Sequence, residues 1–268
     1  MFASSSALGS IVSALFLFAS IYIYYILIRQ IGTRSWTTTA ESTRRFALPE
    51  AIVALVLVSL FFWLIAASLS SEPHKLSTPG IIANEVFFIV VVGLMLTFLR
   101  LRGFDLDLLG GFSTINFPRA VTTGIILLVA AWPLLALADW ITQLIFGSGS
   151  SKQEIVDLFD QSQTLEQRIV IIVIAVAVAP VAEEFLFRFF LYRVFKRYLG
   201  RALGLVLNAG LFAAVHTHLP SFAPLFVLGG CFTLAYEWSG SILVSMTMHS
   251  LFNSLQLTFL AFPQLSQQ

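Results

Sequence analysis

Two adjacent carboxylates, Glu183 and Glu184, and the guanidinium of Arg188 interrupt the apolar run from Gln167 to Arg201. Ionisable groups inside a membrane-length segment cost on the order of 2.5 to 3.5 kcal/mol each, so their presence argues for function and for a partner to each. On a helix, Glu184 and Arg188 stand four residues apart with the acid first, the favourable order for an ion pair. Glu183 is rotated by roughly 100° from Glu184 and aims elsewhere. Pro180, about one turn upstream, removes an intrahelical hydrogen bond and predicts a kink that makes room for water beside the acids. A carboxylate next to water in an apolar site suits acid–base chemistry.

Further polar groups recur on other apolar segments. His216 ends NAGLFAAVH, in which Asn208, Phe212 and His216 are spaced four apart, and His249 and Asn253 are likewise four apart in MHSLFN. On helices each set shares one face. At 1.5 Å per residue from the nearest basic or polar edge, Glu183 lies roughly 15 Å deep, His216 about 22 Å, and His249 and Asn253 about 12 and 18 Å. One shared cavity at middle depth is therefore expected. Glu183, His216 and His249 would also make a zinc site of two histidines and a glutamate with an open position. No HExxH motif is present to support a zincin.

The elements that must hold these groups are membrane helices. Of 268 residues 58% are hydrophobic and 11% charged, with a mean hydropathy of +0.90, a composition of polytopic membrane proteins. A net charge of +1 leaves no basic excess for nucleic acid. The single Cys231 permits neither an internal disulfide nor a cysteine metal cluster. No cleavable signal is expected, because Met1 to Gly9 lacks a positive n-region and the run that follows is long enough to span. Eight stretches approach the roughly 20 residues that a bilayer requires: about 7–28, 48–69, 81–99, 120–146, 168–192, 202–219, 222–238 and 241–261. With the N-terminus outside, 12 of the 15 Lys and Arg residues fall on one side. That bias predicts a cytoplasmic location for that side and both termini outside. The FDLDLLGGF loop between Arg102 and Arg119 is expected along the cytoplasmic interface, and a short amphipathic helix is expected in the outer loop 147–163. No repeat or low-complexity tract divides the chain, so residues 1–268 read as one integral-membrane domain with a core of about 168–261.

Glu183, Glu184 and Arg188 form EExxxR, Phe212 and His216 form FxxxH, and His249 and Asn253 form HxxxN. In this order and spacing the chain resembles the CAAX prenyl protease and bacteriocin-processing family of intramembrane glutamic endopeptidases, over about Ala175 to Leu255. Phe189 departs from the pattern, since bacterial members often carry Gly after the arginine; the change bears on packing and not on a reactive group. The resemblance implies peptide-bond hydrolysis by an activated water, without a metal or other cofactor. Glu183 would act as general base, with His216 helping to hold the water. His249 and Asn253 would donate to the oxyanion. Glu184 and Arg188 would fix the site, with Phe212 and Asn208 in support. The partners implied are a peptide or protein substrate, lipidated or membrane-associated, and the bilayer itself; family members cleave prenylated C-termini or peptide leaders. The charge bias suits a prokaryotic cell membrane and would equally suit an endoplasmic reticulum membrane.

Other readings stand beside this one. A membrane immunity factor or scaffold would use the same polar cluster to bind a peptide or hold the bundle together, since intramembrane His and Asn also serve as interhelical glue. A transporter is disfavoured by the lack of paired, interrupted spans in matching halves. Glu85, Asp139 and Glu237, near span ends, are expected to be solvated or locally paired. His74, His218, Ser148 and Ser150 are assigned to outer loops.

Overall fold

Helices begin where the sequence supplies an acceptor for their unsatisfied N–H groups. Ser77 Oγ accepts from the Gly80 N–H and Asn116 Oδ1 from the Arg119 N–H, each followed by Pro in the first turn. Thr164 and Gln167 form a reciprocal capping box, and Ser241 Oγ accepts from the Leu243 N–H. The computed structural model describes residues 7–33, 45–70, 77–147, 159, 162 and 164–262, and their regular structure is helical throughout. The elements are α1 (Ala7–Thr33), α2 (Leu48–Ser70), α3 (Thr78–Leu101), the short α4 (Leu106–Gly110), α5 (Phe117–Phe146), α6 (Leu165–Leu199), α7 (Arg201–Ala214), a 3-10 turn (Leu219–Ser221), α8 (Phe222–Ser239) and α9 (Ile242–Ala261).

Among the described residues, 6 helices are long and apolar enough to cross a membrane: α1, α2, α3, α5, α6 and α8 with its preceding turn. The protein is thus an all-α, integral multi-pass membrane protein with about six spans, not the eight that apolar runs suggest. Two expected spans fail for different reasons. The helix α7 has 14 residues and is about 21 Å long, short of a roughly 30 Å hydrocarbon layer. The helix α9 has 20 residues but carries Ser245, Thr247, His249, Ser250, Asn253 and Ser254 along its length, which lowers its hydropathy. The expected amphipathic helix in 147–163 falls almost wholly outside the described residues, as do His74, Ser148 and Ser150.

Both short or polar helices are shielded by neighbours. The helix α7 pairs with α8, which packs with α9 on α5, while α1 lies against α5 and α8. The middle of α6 packs on α9, and its first half on α3. Gly124 of α5 permits the close approach of α9: a Cβ there would lie 2.8 Å from Thr247 Cβ. Aromatic side chains fill the centre, with Phe61, Phe187, Phe189, Phe190, Phe212 and Phe232 all less than 2% exposed.

One end of the bundle collects the basic residues and ties successive helices together. Arg201 donates to the Ile31 carbonyl at 2.7 Å, Arg102 pairs with the buried Glu50 at 2.9 Å, and Arg193 donates to Tyr236 Oη at 2.6 Å and to the Leu109 carbonyl in α4. Lys196 pairs with Glu237 at 2.8 Å, so Glu237 is locally paired as its position suggests. The loop between Arg102 and Arg119 is thereby docked on the bundle through α4.

Candidate active site

The helix that carries the acids is interrupted twice. Wide π-helical turns at Ile174–Val178 and Phe185–Leu191 flank the regular turn Ala179–Glu184, and Pro180 stands in the first turn of that segment. Proline has no N–H to donate, and a register shift into π geometry is one way the chain absorbs that loss. The disruption is placed where the carboxylates sit, and it leaves the Ala175 carbonyl to be taken by Asn253 Nδ2 at 2.7 Å.

Glu184 and Arg188 are closed off from solvent. Arg188 Nη1 donates to Glu184 Oε1 at 2.8 Å, and both side chains are 0% exposed. Arg188 Nη2 donates to the Gly229 carbonyl at 3.1 Å. The guanidinium also lies over the rings of Phe212 at 4.4 Å and Phe232 at 5.2 Å, contacts that favour a desolvated cation. Gly229 makes this convergence possible, because a Cβ there would stand 2.9 Å from Phe212 Cδ1 and 3.4 Å from Arg188 Nη2.

His249 bridges the two acids. Its Nδ1 lies 3.1 Å from Glu184 Oε1 and its Nε2 lies 3.9 Å from Glu183 Oε2. A carboxylate only accepts, so Nδ1 carries a proton toward Glu184, and Nε2 donates only when the ring is doubly protonated. The ring stacks on Phe232 at 4.9 Å and meets Phe212 edge-on at 5.7 Å. Glu183 differs from its neighbour in exposure, 23% against 0%, while the Oε2 atoms of both acids are buried without a hydrogen-bond partner among the described residues.

His216 lies outside the helix that the spacing predicts for it. The helix α7 stops at Ala214, and Thr217 adopts φ 52°, an uncommon left-handed conformation for a β-branched residue. The turn carries His216 past the helix end, yet its Nδ1 remains 2.7 Å from the Phe212 carbonyl. A carbonyl only accepts, so Nδ1 carries a proton, and in the neutral form of the ring Nε2 presents a lone pair. Phe212, fully buried, touches the His216 ring at 5.0 Å and the His249 ring at 5.7 Å and so stands between the two imidazoles. Asn208 turns away from this group: its Nδ2 donates to Thr233 Oγ1 at 3.1 Å, which in turn donates to the Gly229 carbonyl.

The structure thus joins Glu183, Glu184, Arg188 and His249 by direct contact, links His216 through Phe212, and ties Asn253 to the π turn. Asn208 holds α7 to α8 instead. Among the described residues no three His, Cys, Asp or Glu side chains are grouped so as to hold a metal ion. Phe232, Gly229 and Thr233 belong to the site and were not legible as such. The Gly229–Gly230 pair within an apolar span was the available signal, since small residues there permit close helix approach.

No curated protein and no solved structure matches the chain. Residues 165–255, which contain α6, α7, α8 and the part of α9 bearing His249 and Asn253, match the family model described as type II CAAX prenyl endopeptidase Rce1-like. Over these residues, about a third of the chain, the protein carries an Rce1-like type II CAAX prenyl endopeptidase domain, a domain of membrane glutamic-type proteases.

Proposed function

We propose that the protein hydrolyses a peptide bond with a water held between the free Glu183 Oε2 and His216 Nε2. Glu183 takes a proton as the water attacks the scissile carbonyl, and His216 orients the water through its Nε2 lone pair. The doubly protonated His249 donates its Nε2–H to the developing oxyanion, with Asn253 offering the amide hydrogen that Ala175 does not use. Glu184 holds Nδ1 of His249, and Arg188 holds Glu184, so the ion pair positions the donor. The proton gained by Glu183 then passes to the leaving amine. The carrying observation is the asymmetry of the two acids: Glu184 is fully buried and bound through Oε1 by Arg188 and His249, whereas Glu183 is 23% exposed and neither group lies within hydrogen-bond distance of it.

The substrate is a membrane-associated peptide or protein, in keeping with the prenylated chains named in the family description. The catalytic core is residues 168–261 within one membrane domain. The basic end faces the cytoplasm and both termini face outward. Incubation of the purified protein with prenylated and unprenylated peptides, followed by mass analysis, tests this reading. Glu183→Gln and His216→Ala should each abolish cleavage while the fold is kept. Cleavage by Glu183→Gln at the wild-type rate would refute it.

A further inference from the structure

An acid that position in the chain marks as solvated or locally paired stands on the inner face of its helix. The covered stripe of α3 runs through Ile81, Phe88, Val92, Met95 and Leu99, at alternating steps of four and three. Glu85 occupies the missing place in that stripe and is half-buried, whereas Ala83, Asn84, Val86 and Phe87 are exposed. A helix face that packs on other helices ordinarily carries an apolar residue there.

The opposing surface is the acid-bearing part of α6. The helix α3 packs on Leu165–Val173, on the π turn Ile174–Val178 and on Ala179–Glu184. Glu85 lies within electrostatic range of Glu183. The register agrees, because one turn nearer the basic end Phe88 stacks on Phe61, which stacks on Phe187 of α6 at 5.6 Å. Glu85 and Glu183 also stand at equal depth, each roughly 24 Å from the basic end of its helix.

Other charges around α3 are engaged or distant. Glu184 is bound by Arg188 and His249, and Arg168 donates to Ser162. Glu166 stands in the first turn of α6, and Ile174–Val178 carries no titratable group. Asp105 caps α4 and Asp107 stands in its first turn, beyond the far end of α3, where Glu50 of α2 is paired with Arg102. No cation pairs with Glu85 among the described residues. The cations near Glu183, Arg188 and a protonated His249, are already bound to Glu184, so a second carboxyl packed against Glu183 in an apolar interior favours holding a proton.

We propose that Glu85 is the second carboxyl of the active site, sharing one proton with Glu183 and returning it to the leaving amine. The inference rests on the role given above to Glu183. The resting pair holds one proton, with Glu183 as the ionised member. Attack by water delivers a second proton to the pair as the hydroxyl oxygen bonds to the scissile carbon. Collapse of the tetrahedral intermediate breaks the C–N bond, the departing nitrogen takes one proton, and the pair returns to its starting state. This divides the acid and base tasks between two carboxyls, as paired carboxylates do elsewhere.

The test compares wild type, Glu85→Gln, Glu85→Asp and Glu183→Gln, purified in one detergent and assayed with one peptide that the wild type cleaves. Glu85→Gln should lower kcat by about 10²-fold, the scale of a lost proton donor, with KM nearly unchanged. Its kcat/KM profile should lose the alkaline limb caused by deprotonation of the pair, and Glu85→Asp should restore that limb in part. Infrared spectra should contain a protonated carboxylic acid C=O stretch at neutral pH that disappears in Glu85→Gln. If Glu183→Gln is inactive while Glu85→Gln keeps the wild-type kcat, pH profile and carboxyl band, the shared proton is refuted and the role of Glu183 survives. If Glu183→Gln cleaves normally, both fall together.

Discussion

Removing the Arg188 side chain tests whether the buried ion pair holds the site together. In Arg188→Met the Glu184 carboxylate remains 0% exposed and loses its guanidinium at 2.8 Å. Breaking a buried pair from one side costs about 3–5 kcal/mol, because the other charge is left uncompensated. Two observations move the expected value to the lower end. His249 Nδ1 still donates to Glu184 Oε1, and the Gly229 carbonyl keeps the Thr233 hydroxyl at 2.8 Å. The lost contacts with the Phe212 and Phe232 rings act the other way, by about 0.5–2 kcal/mol for a desolvated cation. The expected loss is therefore about 3 kcal/mol. Glu184→Gln, which strands the guanidinium, should cost a similar amount. The double variant should cost less than the sum of the two, with a coupling energy of about 2 kcal/mol. Equilibrium unfolding in mixed micelles with increasing denaturing detergent, followed by helical ellipticity, measures all four proteins. A coupling energy below about 0.5 kcal/mol, the additive limit for independent sites, would refute the account of this pair as one electrostatic unit.

Three other perturbations separate structure from chemistry. Gly229→Ala places a Cβ 2.9 Å from Phe212 and should destabilise by about 1–3 kcal/mol by overpacking, measured by the same unfolding assay. Asn208→Ala removes the bond to Thr233 and should cost about 1 kcal/mol while kcat stays near wild type, since the carboxamide turns away from the histidines. Prolonged dialysis against a strong metal chelator should leave cleavage unchanged if Glu183 and His216 hold the water; loss of activity restored by zinc would favour a metal mechanism.

The divergence between the sequence and the folded chain is clearest in the helices near the site. Hydropathy marked α7 and α9 as spans because it averages over windows, but a helix sheltered by protein needs neither the length nor the apolar surface of one facing lipid. The pairing of α7 with α8, and of α9 with α5, supplies that shelter. His216 shows the limit of helical spacing. The four-residue step from Phe212 put both on one face, and the turn at Thr217 keeps the imidazole against the Phe212 carbonyl although the helix has ended.

Local chemistry alone established that acids and imidazoles lie within apolar segments, that Glu184 and Arg188 are poised to pair, and that Glu183 aims differently. These are properties of residue type and helical repeat, which depend on near neighbours in the chain. Tertiary packing decided the contacts between segments distant in sequence: Glu184 with His249, Asn253 with the carbonyl freed by the π turn, Gly229 beneath Arg188, and α3 against the acid-bearing part of α6. The physical reason is that helical periodicity specifies which residues share a face but not which helix that face will meet. That choice follows from the packing of whole helices, to which every side chain along the interface contributes.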